Sequence, residues 1–318
     1  MKISVAVLVI DGVLPSAVLG IKDIFDICNV YCRQKTEAEF VISFLGLEEN
    51  ISFSGMRFKL ETYSLDKLYD IVIVPPIITG HEIIINSELK RWLVEAYHAK
   101  SILSAACMGS FVLGQTGLLD YKRATTHWLL EQKFQAYFPK VRLKSDKILI
   151  EDGNIVTAGG VTAYIDLVLY LIQKRLSSQS ANKCASLLLV DRGRDSQQCY
   201  KDLASTMLVE DTELNKLIEW MKKNLNQKLD IKTLSKKIKM GERSVIRRFK
   251  KELKTTPIQY LQNLRIEEAK ALLINTRLGF EQITYKVGFN NESSFRRLFK
   301  RETSLNPGEY RKKFKFNC

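Results

Sequence analysis

Apolar residues in the first two thirds of the chain follow two alternating patterns, which predict strands and helices in turn. Ile3–Ile10 is an almost continuous apolar run, typical of a strand that is covered on both faces. From Pro15 to about Cys32 the apolar residues recur at a helical spacing. The same patterns predict strands at 40–47, 51–60, 70–74 and 101–106, and a helix at about 87–99. This alternation predicts an α/β domain with a mainly parallel sheet.

The last third of the chain is predicted to be helical and contains a repeat. Ser244–Tyr260 and Ser294–Tyr310 share seven identical residues at a constant offset of fifty positions. Such a repeat indicates one supersecondary unit that is used twice. Each copy is predicted to contain a short helix, a turn and a second helix.

In the first copy, a short helix is expected at Ile231–Ile238, followed by a turn that ends at Gly241. The second helix is expected at about Glu242–Leu253, with Val245 and Phe249 on its apolar face. Its opposite face carries Arg243, Ile246, Arg247 and Lys250. A helix of this kind fits the major groove of B-DNA, where an arginine can pair with guanine.

The second copy has the same arrangement. Gly288–Asn291 makes its turn, and Phe295, Leu298 and Phe299 anchor the helix that follows. The outward residues of that helix are Glu292, Ser293, Arg296, Arg297 and Lys300.

A predicted helix at Pro257–Ile274 separates the two copies. About 18 residues at ~1.5 Å each make a spacer of about 27 Å. This length is close to the ~34 Å repeat that separates adjacent major-groove faces of DNA. One domain can therefore place Arg247 and Arg297 in two adjacent major grooves of double-stranded DNA.

Charge is divided unevenly along the chain. From Leu214 to the last residue, 26 Lys and Arg stand against 10 Asp and Glu, whereas residues 1–213 hold 23 against 25. This division predicts a polyanionic partner for the basic part. Because the charges lie on a patterned repeat, they favour nucleic acid over a basic surface that is merely solvated.

Composition argues against several classes of protein. No apolar stretch approaches the ~20 residues that span a bilayer, and the opening apolar run is too short for a signal peptide. The six cysteines are scattered and form no C-x-x-C pair. We therefore expect no membrane association, disulfide framework, zinc site or cofactor, and a reducing cytoplasm fits the cysteine content.

The second copy carries a specific motif. Gly288–Arg311 reads G-F-N-N-E-S-S-F-R-R-L-F-K-R-E-T-S-L-N-P-G-E-Y-R. This motif, within about Leu214–Phe314, resembles the paired helix-turn-helix DNA-binding domain of the AraC/XylS family of bacterial transcription regulators. The resemblance implies a cytoplasmic bacterial protein that contacts RNA polymerase if it is an activator. The resemblance also implies which residues face the DNA bases. They are Arg243, Ile246, Arg247, Ser293, Arg296 and Arg297.

Three residues depart from that family's pattern. Gly241 stands where Ser usually caps the first recognition helix, and it is a weaker cap. Lys254 and Ser304 stand where Gly usually follows each recognition helix. If their backbone is left-handed, each carries strain on the order of 1 kcal/mol. None of the three lies on the outward faces.

A second motif follows the predicted strand at 101–106. Ala105–Gly114 reads A-A-C-M-G-S-F-V-L-G, which places Cys107 at the carboxyl edge of the sheet, where ligands gather in open α/β folds. With Thr116–Trp128 and Val156–Leu167, it resembles the DJ-1/PfpI, class I glutamine amidotransferase-like superfamily, in the version fused to AraC-type domains. The resemblance implies a flavodoxin-like α/β/α sandwich that forms a homodimer.

The residues around Cys107 do not favour catalysis. Met108 stands where the enzymes of that superfamily commonly have His, and the first glutamate of the chain, Glu37, comes long after the first strand. A nucleophile needs a base or activating partner within hydrogen-bond reach. His127 resembles a pocket or scaffold position of the regulator branch. We therefore assign no catalytic residue; the candidate ligand-binding residues, with structural packing as the other interpretation, are Cys107, Met108 and His127.

The predicted organisation has three parts. A ligand-sensing domain covers residues 1–176, a linker with a short helix near 185–190 covers 177–211, and a DNA-binding domain covers 212–318. We expect a sequence-specific transcriptional regulator controlled by a small metabolite. Two alternatives stay open: a cysteine-dependent hydrolase or amidotransferase-like enzyme fused to a DNA-binding module, and a non-specific architectural DNA binder.

Overall fold

The chain folds into an α/β unit followed by an all-helical unit. The structure is a computed structural model that describes residues 1–32, 38–53, 56–202 and 211–315. Its two compact units are Met1–Gln197 and Gln198–Cys318. The predicted fold class is confirmed, since a flavodoxin-like α/β unit precedes two helix-turn-helix units joined by a long helix.

The first unit is built on a seven-stranded sheet with the order β10-β11-β7-β6-β1-β2-β5. All neighbouring strands in it are parallel except β10 and β11. The strands are β1 (Lys2–Leu8), β2 (Glu39–Gly46), β3 (Asn50–Phe53), β4 (Met56–Lys59), β5 (Glu61–Thr62), β6 (Ile71–Val74), β7 (Ile102–Ala106), β8 (Arg123–Ala124), β9 (Arg142–Leu143), β10 (Leu149–Asp152) and β11 (Ile155–Ala158).

The central strands are apolar because helices cover the sheet on both faces. Every residue of β6 and β7 is buried, as the continuous apolar runs predict. The predicted strand at 51–60 differs: β3 and β4 pair antiparallel in a separate two-stranded sheet. Since β1, β6, β7 and β11 run parallel, their carboxyl ends share one edge, and β7 delivers Cys107 to that edge.

The described residues of the first unit form six α-helices. They are α1 (Pro15–Cys32), α2 (Ser87–His98), α3 (Ser110–Gln115), α4 (Glu131–Tyr137), α5 (Ala163–Arg175) and α6 (Ser178–Leu187). The helices α1, α5 and α6 pack against one another, while α2 and α3 pack against β7. Asn86 caps α2, because its side chain accepts a hydrogen bond from the Leu89 N–H at 2.8 Å.

The first part of the segment predicted as a linker packs within this unit. Ser177 caps α6 by accepting a hydrogen bond from the Ser180 N–H, and Ala181 and Cys184 of α6 are buried. The predicted short helix near 185–190 is thus the end of a longer one. The predicted limits of the three parts, 1–176, 177–211 and 212–318, stay a prediction.

The second unit contains seven further helices among its described residues. They are α7 (Thr212–Lys223), α8 (Ile231–Ile238), α9 (Glu242–Leu253), α10 (Pro257–Asn275), α11 (Phe280–Lys286), α12 (Glu292–Thr303) and α13 (Pro307–Phe314). Two apolar clusters hold them together. Tyr260 and Leu264 of α10 belong to the cluster with α7, α8 and α9, whereas Ala269 and Leu273 belong to the cluster with α11, α12 and α13. A single helix is therefore shared by both cores.

In the part of the chain that the structure describes, the helices lack the combination of length and apolarity that a bilayer span requires.

Candidate functional site

The first recognition helix, α9, has a buried face and a charged face. Val245, Phe249 and Leu253 are buried in the cluster shared with α7, α8 and α10. Gly241 begins the helix in extended backbone and supplies no side-chain cap. On the opposite face, Arg243, Arg247 and Lys250 are exposed, and Ile246 is half-buried. The predicted outward residues therefore share one accessible surface.

The second recognition helix, α12, is divided in the same way. Phe295, Leu298 and Phe299 are buried, and the Asn291 side chain caps the helix by accepting from the Ser294 N–H at 2.7 Å. On the accessible side, Ser293, Arg296, Arg297 and Lys300 are exposed, and Glu292 is half-buried. Both predicted faces are thus available to a ligand as large as DNA.

Two adjacent arginines of α9 have different environments. Arg248 forms an ion pair with Asp211, with 3.4 Å between Nη1 and Oδ2, and Asp211 also caps α7. Arg248 therefore connects α9 to α7. No such partner, within the described ranges, engages the side chains of Arg243, Arg247, Lys250, Arg297 or Lys300. A guanidinium in that situation can bond to a base edge or a phosphate.

Arg296 differs from the other outward arginines because it has protein partners. Its Nη2 donates a hydrogen bond to Glu292 Oε1, one helical turn earlier on α12. Its Cζ also lies 4.9 Å from the centroid of the Phe280 ring. The sequence places Arg296 and Glu292 on one face, but the contact with Phe280 depends on how α11 packs against α12.

Arg265, on α10, connects the two helix-turn-helix units. Its Nε donates to the Leu225 carbonyl oxygen at 3.1 Å and its Nη2 to that of Gln227 at 2.9 Å. Its Cζ lies 5.2 Å from the centroid of the Phe289 ring. Gly288 has φ of +83°, and a Cβ there would overlap the Leu225 carbonyl oxygen. The turn before α12 is therefore held against the loop after α7.

The two residues that replace the usual glycines have left-handed backbone. Lys254 follows α9 with φ of 54°, and Ser304 follows α12 with φ of 61°. The conditional prediction of strain therefore applies at both positions. Ser304 has a compensating contact, since its Oγ donates to Gln198 Oε1 at 2.5 Å.

Cys107 lies in a strained turn between β7 and α3. Its φ is +55°, which is rare for a residue with a side chain. Its carbonyl oxygen accepts hydrogen bonds from Ser110 Oγ and Thr126 Oγ1, both at 2.8 Å. A Cβ on Gly109 would overlap the Pro75 carbonyl oxygen, so this turn requires glycine there. The backbone thus has the sharp strand-to-helix geometry that the motif predicts.

The environment of the Cys107 thiol does not activate it. The residue is 4% exposed, and burial raises the pKa of the thiol to about 11. Among the described residues, neither a histidine nor a carboxylate is hydrogen-bonded to it. His127 instead accepts from the Leu129 N–H through Nδ1 at 3.1 Å, and burial lowers the pKa of its imidazole. Met108 is buried beside Cys107.

Gln197 is linked to the Cys107 turn through Thr126, and the sequence analysis did not predict this role. Its Nε2 donates to the Thr126 carbonyl oxygen at 2.9 Å and to that of Lys147 at 2.8 Å. Its Oε1 accepts from the Trp128 N–H at 3.2 Å. Because Thr126 also binds the Cys107 carbonyl, a polar network joins the turn to the last residue of the first unit. The hydrogen-bond partners of Gln197 lie about 50 to 70 positions earlier in the chain, so no local sequence pattern reveals them.

Two cavities of the first unit have mixed walls, in which charged side chains stand among apolar ones. One, of about 450 Å³, lies beside β10 and α5 and includes the paired side chains of Asp166 and Arg194. The other, of about 200 Å³, is lined by residues that follow β1, β2 and β6. Among them are Asp11, after β1, and His81, after β6, with 3.1 Å between Oδ2 and Nε2. Neither wall contains the predicted ligand-binding residues Cys107, Met108 and His127. Within the described chain, no cluster of three or more potential metal ligands occurs.

Comparison with known proteins agrees with the division of the chain into an α/β unit and a helix-turn-helix unit. Residues 17–174 match the DJ-1/PfpI family, and residues 234–313 match a helix-turn-helix domain family. A crystal structure of an AraC family transcriptional regulator from Pseudomonas putida aligns with a TM-score of 0.51 and 17% identity, over 58% of this chain and 99% of that one. That similarity supports the fold of the aligned part.

Two curated relatives match longer stretches. The HTH-type transcriptional regulator CdhR of Pseudomonas aeruginosa is 29% identical over 71% of this chain and 68% of its own length. The HTH-type transcriptional regulator GbdR of the same species is 27% identical over 66% of this chain and 57% of its own length. The resemblance to both families is thus confirmed, and the chain belongs to the HTH-type transcriptional regulators that combine a DJ-1/PfpI-family domain with an AraC-type helix-turn-helix domain.

Proposed function

We propose that this regulator binds specific DNA sequences by inserting α9 and α12 into two adjacent major grooves of one duplex. The observation that carries the proposal is the pair of equivalent arginines, Arg247 and Arg297, which are exposed and have no protein partner among the described residues. The helix α10 has 19 residues and belongs to both apolar cores. At ~1.5 Å per residue it is about 28 Å long, which suits adjacent grooves on one side of the duplex.

Substitution of the two arginines tests base contact. We expect Arg247→Ala and Arg297→Ala each to cost about 1–3 kcal/mol of binding free energy at the selected site and to relax specificity at one base position. The measurement is binding of the full chain to sites selected from a random DNA library at physiological salt, and to single-base variants of those sites.

Arg248→Ala is the matched control for Arg247→Ala. It removes the same charge from the next residue of α9, but Arg248 is engaged by Asp211. We expect this variant to lose stability without losing base preference. Uniform weakening on all DNA sequences in Arg247→Ala or Arg297→Ala would instead identify those side chains as phosphate contacts.

The first unit is proposed to sense a small metabolite. The two cavities, of about 450 Å³ and 200 Å³, offer room for such a ligand. The Cys107 turn at the carboxyl edge of the sheet, which lines neither cavity, is a separate candidate site, with Cys107, Met108 and His127 as its proposed contacts. Homodimer formation, a cytoplasmic location and, for an activator, contact with RNA polymerase belong to this proposal as well.

Catalysis is not part of the proposed function. A thiol with a pKa of about 11 is almost entirely protonated at neutral pH, and the thiolate is the nucleophilic form. The second alternative, architectural binding, would rest on charge alone and give salt-dependent affinity without base preference. The division of α9 and α12 into a buried face and an outward face favours sequence reading.

A further inference from the structure

The guanidinium of Arg296 is held from two directions. Glu292 Oε1 accepts from its Nη2, and the face of the Phe280 ring lies 4.9 Å from its Cζ. Phe280 is itself fixed by the core, since it stacks on Phe295 with ring centroids 5.4 Å apart and meets Phe299 edge-on at 5.9 Å. The arginine is therefore anchored to the buried part of the second helix-turn-helix unit.

Although it is anchored, Arg296 is still accessible on the outward face of α12. Its side chain is 47% exposed and that of Glu292 is 35% exposed. A guanidinium has five N–H donors, so the bond to Glu292 leaves donors that can bind another acceptor pair. Guanine presents O6 and N7 in the major groove as such a pair. A guanidinium with a fixed direction loses less conformational freedom on binding and selects one base pair by position.

We propose that Glu292 is a positioning residue that, with Phe280, directs Arg296 to one guanine in the DNA segment read by α12. The inference rests on the proposed function and adds the base that this pair recognises. Removal of Glu292 frees the guanidinium to reach neighbouring phosphates and bases, so specificity falls although a negative charge next to DNA is also removed.

The first copy of the repeat supplies the matched control. At the offset of fifty positions, Glu242 corresponds to Glu292, but Ile246 corresponds to Arg296. Both glutamates begin their recognition helices, and Glu242 is exposed. Glu242→Ala therefore removes an equivalent charge from an equivalent helical position without releasing an arginine.

The test compares full-chain variants on a selected site and on duplexes with each base pair replaced in turn. Arg296→Ala is expected to lower discrimination at one guanine by about fivefold to about a hundredfold, the range of one bidentate contact. Glu292→Ala is expected to lower discrimination at the same guanine several-fold, and the double variant to match Arg296→Ala. Glu242→Ala is expected to change no base preference.

The readout separates positioning from folding. Glu292→Gln keeps a hydrogen-bond acceptor at the same place, so it should retain part of the discrimination that Glu292→Ala loses. Affinity for non-specific DNA should be equal to or higher than that of the wild type in both variants, which a misfolded unit would not show. This combination supports the proposal.

Three outcomes would overturn it. If Arg296→Ala leaves every base preference intact, the side chain does not read a base. If Glu292→Ala leaves the guanine preference intact while Arg296→Ala removes it, Glu292 does not position the arginine. If the wild-type protein selects no consensus, the proposed function fails together with this inference. This third outcome differs from the first two, in which the wild-type protein still selects a consensus.

Discussion

The backbone at Cys107 makes the sharp strand-to-helix turn that the motif predicts, but the surroundings of the side chain keep its thiol protonated. Its pKa is raised to about 11 by burial, so the thiolate fraction is small at neutral pH and grows as the pH rises toward that value. We predict that iodoacetamide modifies Cys107 more slowly in the folded protein than in the unfolded chain at pH 7.5, and faster as the pH is raised. Mass spectrometry of the Cys107 peptide measures the rate.

The same experiment examines the enzyme alternative. A catalytic cysteine has a lowered pKa and reacts at neutral pH faster than an ordinary thiol. Modification of Cys107 at pH 7.5 that outpaces the unfolded chain would therefore contradict the raised pKa. Cys107→Ser should leave DNA binding unchanged, because the cysteine does not belong to the helical unit.

At the scale of the elements, the left-handed residue after α9 offers a stability test. Lys254 has φ of 54°, a conformation that costs a residue with a side chain about 1–2 kcal/mol relative to glycine. We predict that Lys254→Gly raises the free energy of unfolding of the helical unit by up to about 1 kcal/mol, after the backbone entropy of glycine is allowed for. Hydrogen exchange of α9 amides in the full chain measures this change.

Lys251→Gly is the appropriate comparison, because it removes the same charge from a helical position three residues earlier. It should lower the free energy of unfolding by about 1 kcal/mol, the usual cost of glycine within a helix. A decrease for Lys254→Gly as well would mean that the Lys254 side chain, whose Nζ donates to the Lys251 carbonyl oxygen at 2.9 Å, contributes more than the strain costs.

Local signals account for the elements that the sequence predicted well. The apolar spacing and the turn that ends at Gly241 define α8 and α9, whose predicted bounds agree with the structure. Because the repeat places equivalent residues fifty positions later, it also predicts that α12 is a helix equivalent to α9. The small residues around Cys107 likewise predict a sharp turn, since only a few backbone conformations join a buried strand to a helix so closely.

Residues whose roles depend on distant partners were not predictable in this way. Arg265 contacts carbonyl groups 38 and 40 positions away, and Gln197 binds groups that lie 50 to 71 positions earlier. The Glu292–Arg296 pair is visible in the sequence, but its anchoring by Phe280 is not. Such contacts follow from tertiary packing, which one sequence does not specify by pattern.

At the scale of the whole molecule, we propose that the basic helical unit reads the DNA sequence and that the α/β unit senses a ligand. The net positive charge lies in the region after residue 213, where 26 Lys and Arg stand against 10 Asp and Glu, so electrostatic attraction to DNA belongs to that region. We propose that specificity depends on geometry instead: because α10 belongs to both apolar cores and Arg265 bonds to the loop after α7, α9 and α12 keep a constant separation. A constant separation requires a constant spacing between the two DNA segments.

The most direct test is a footprint of the full chain on its selected site, with and without five base pairs inserted between the two protected segments. We predict two major-groove segments about one helical turn apart, and loss of one of them after the insertion, because half a turn moves it to the other side of the duplex. A single continuous footprint without consensus, unaffected by the insertion and weakened uniformly by salt, would contradict the account.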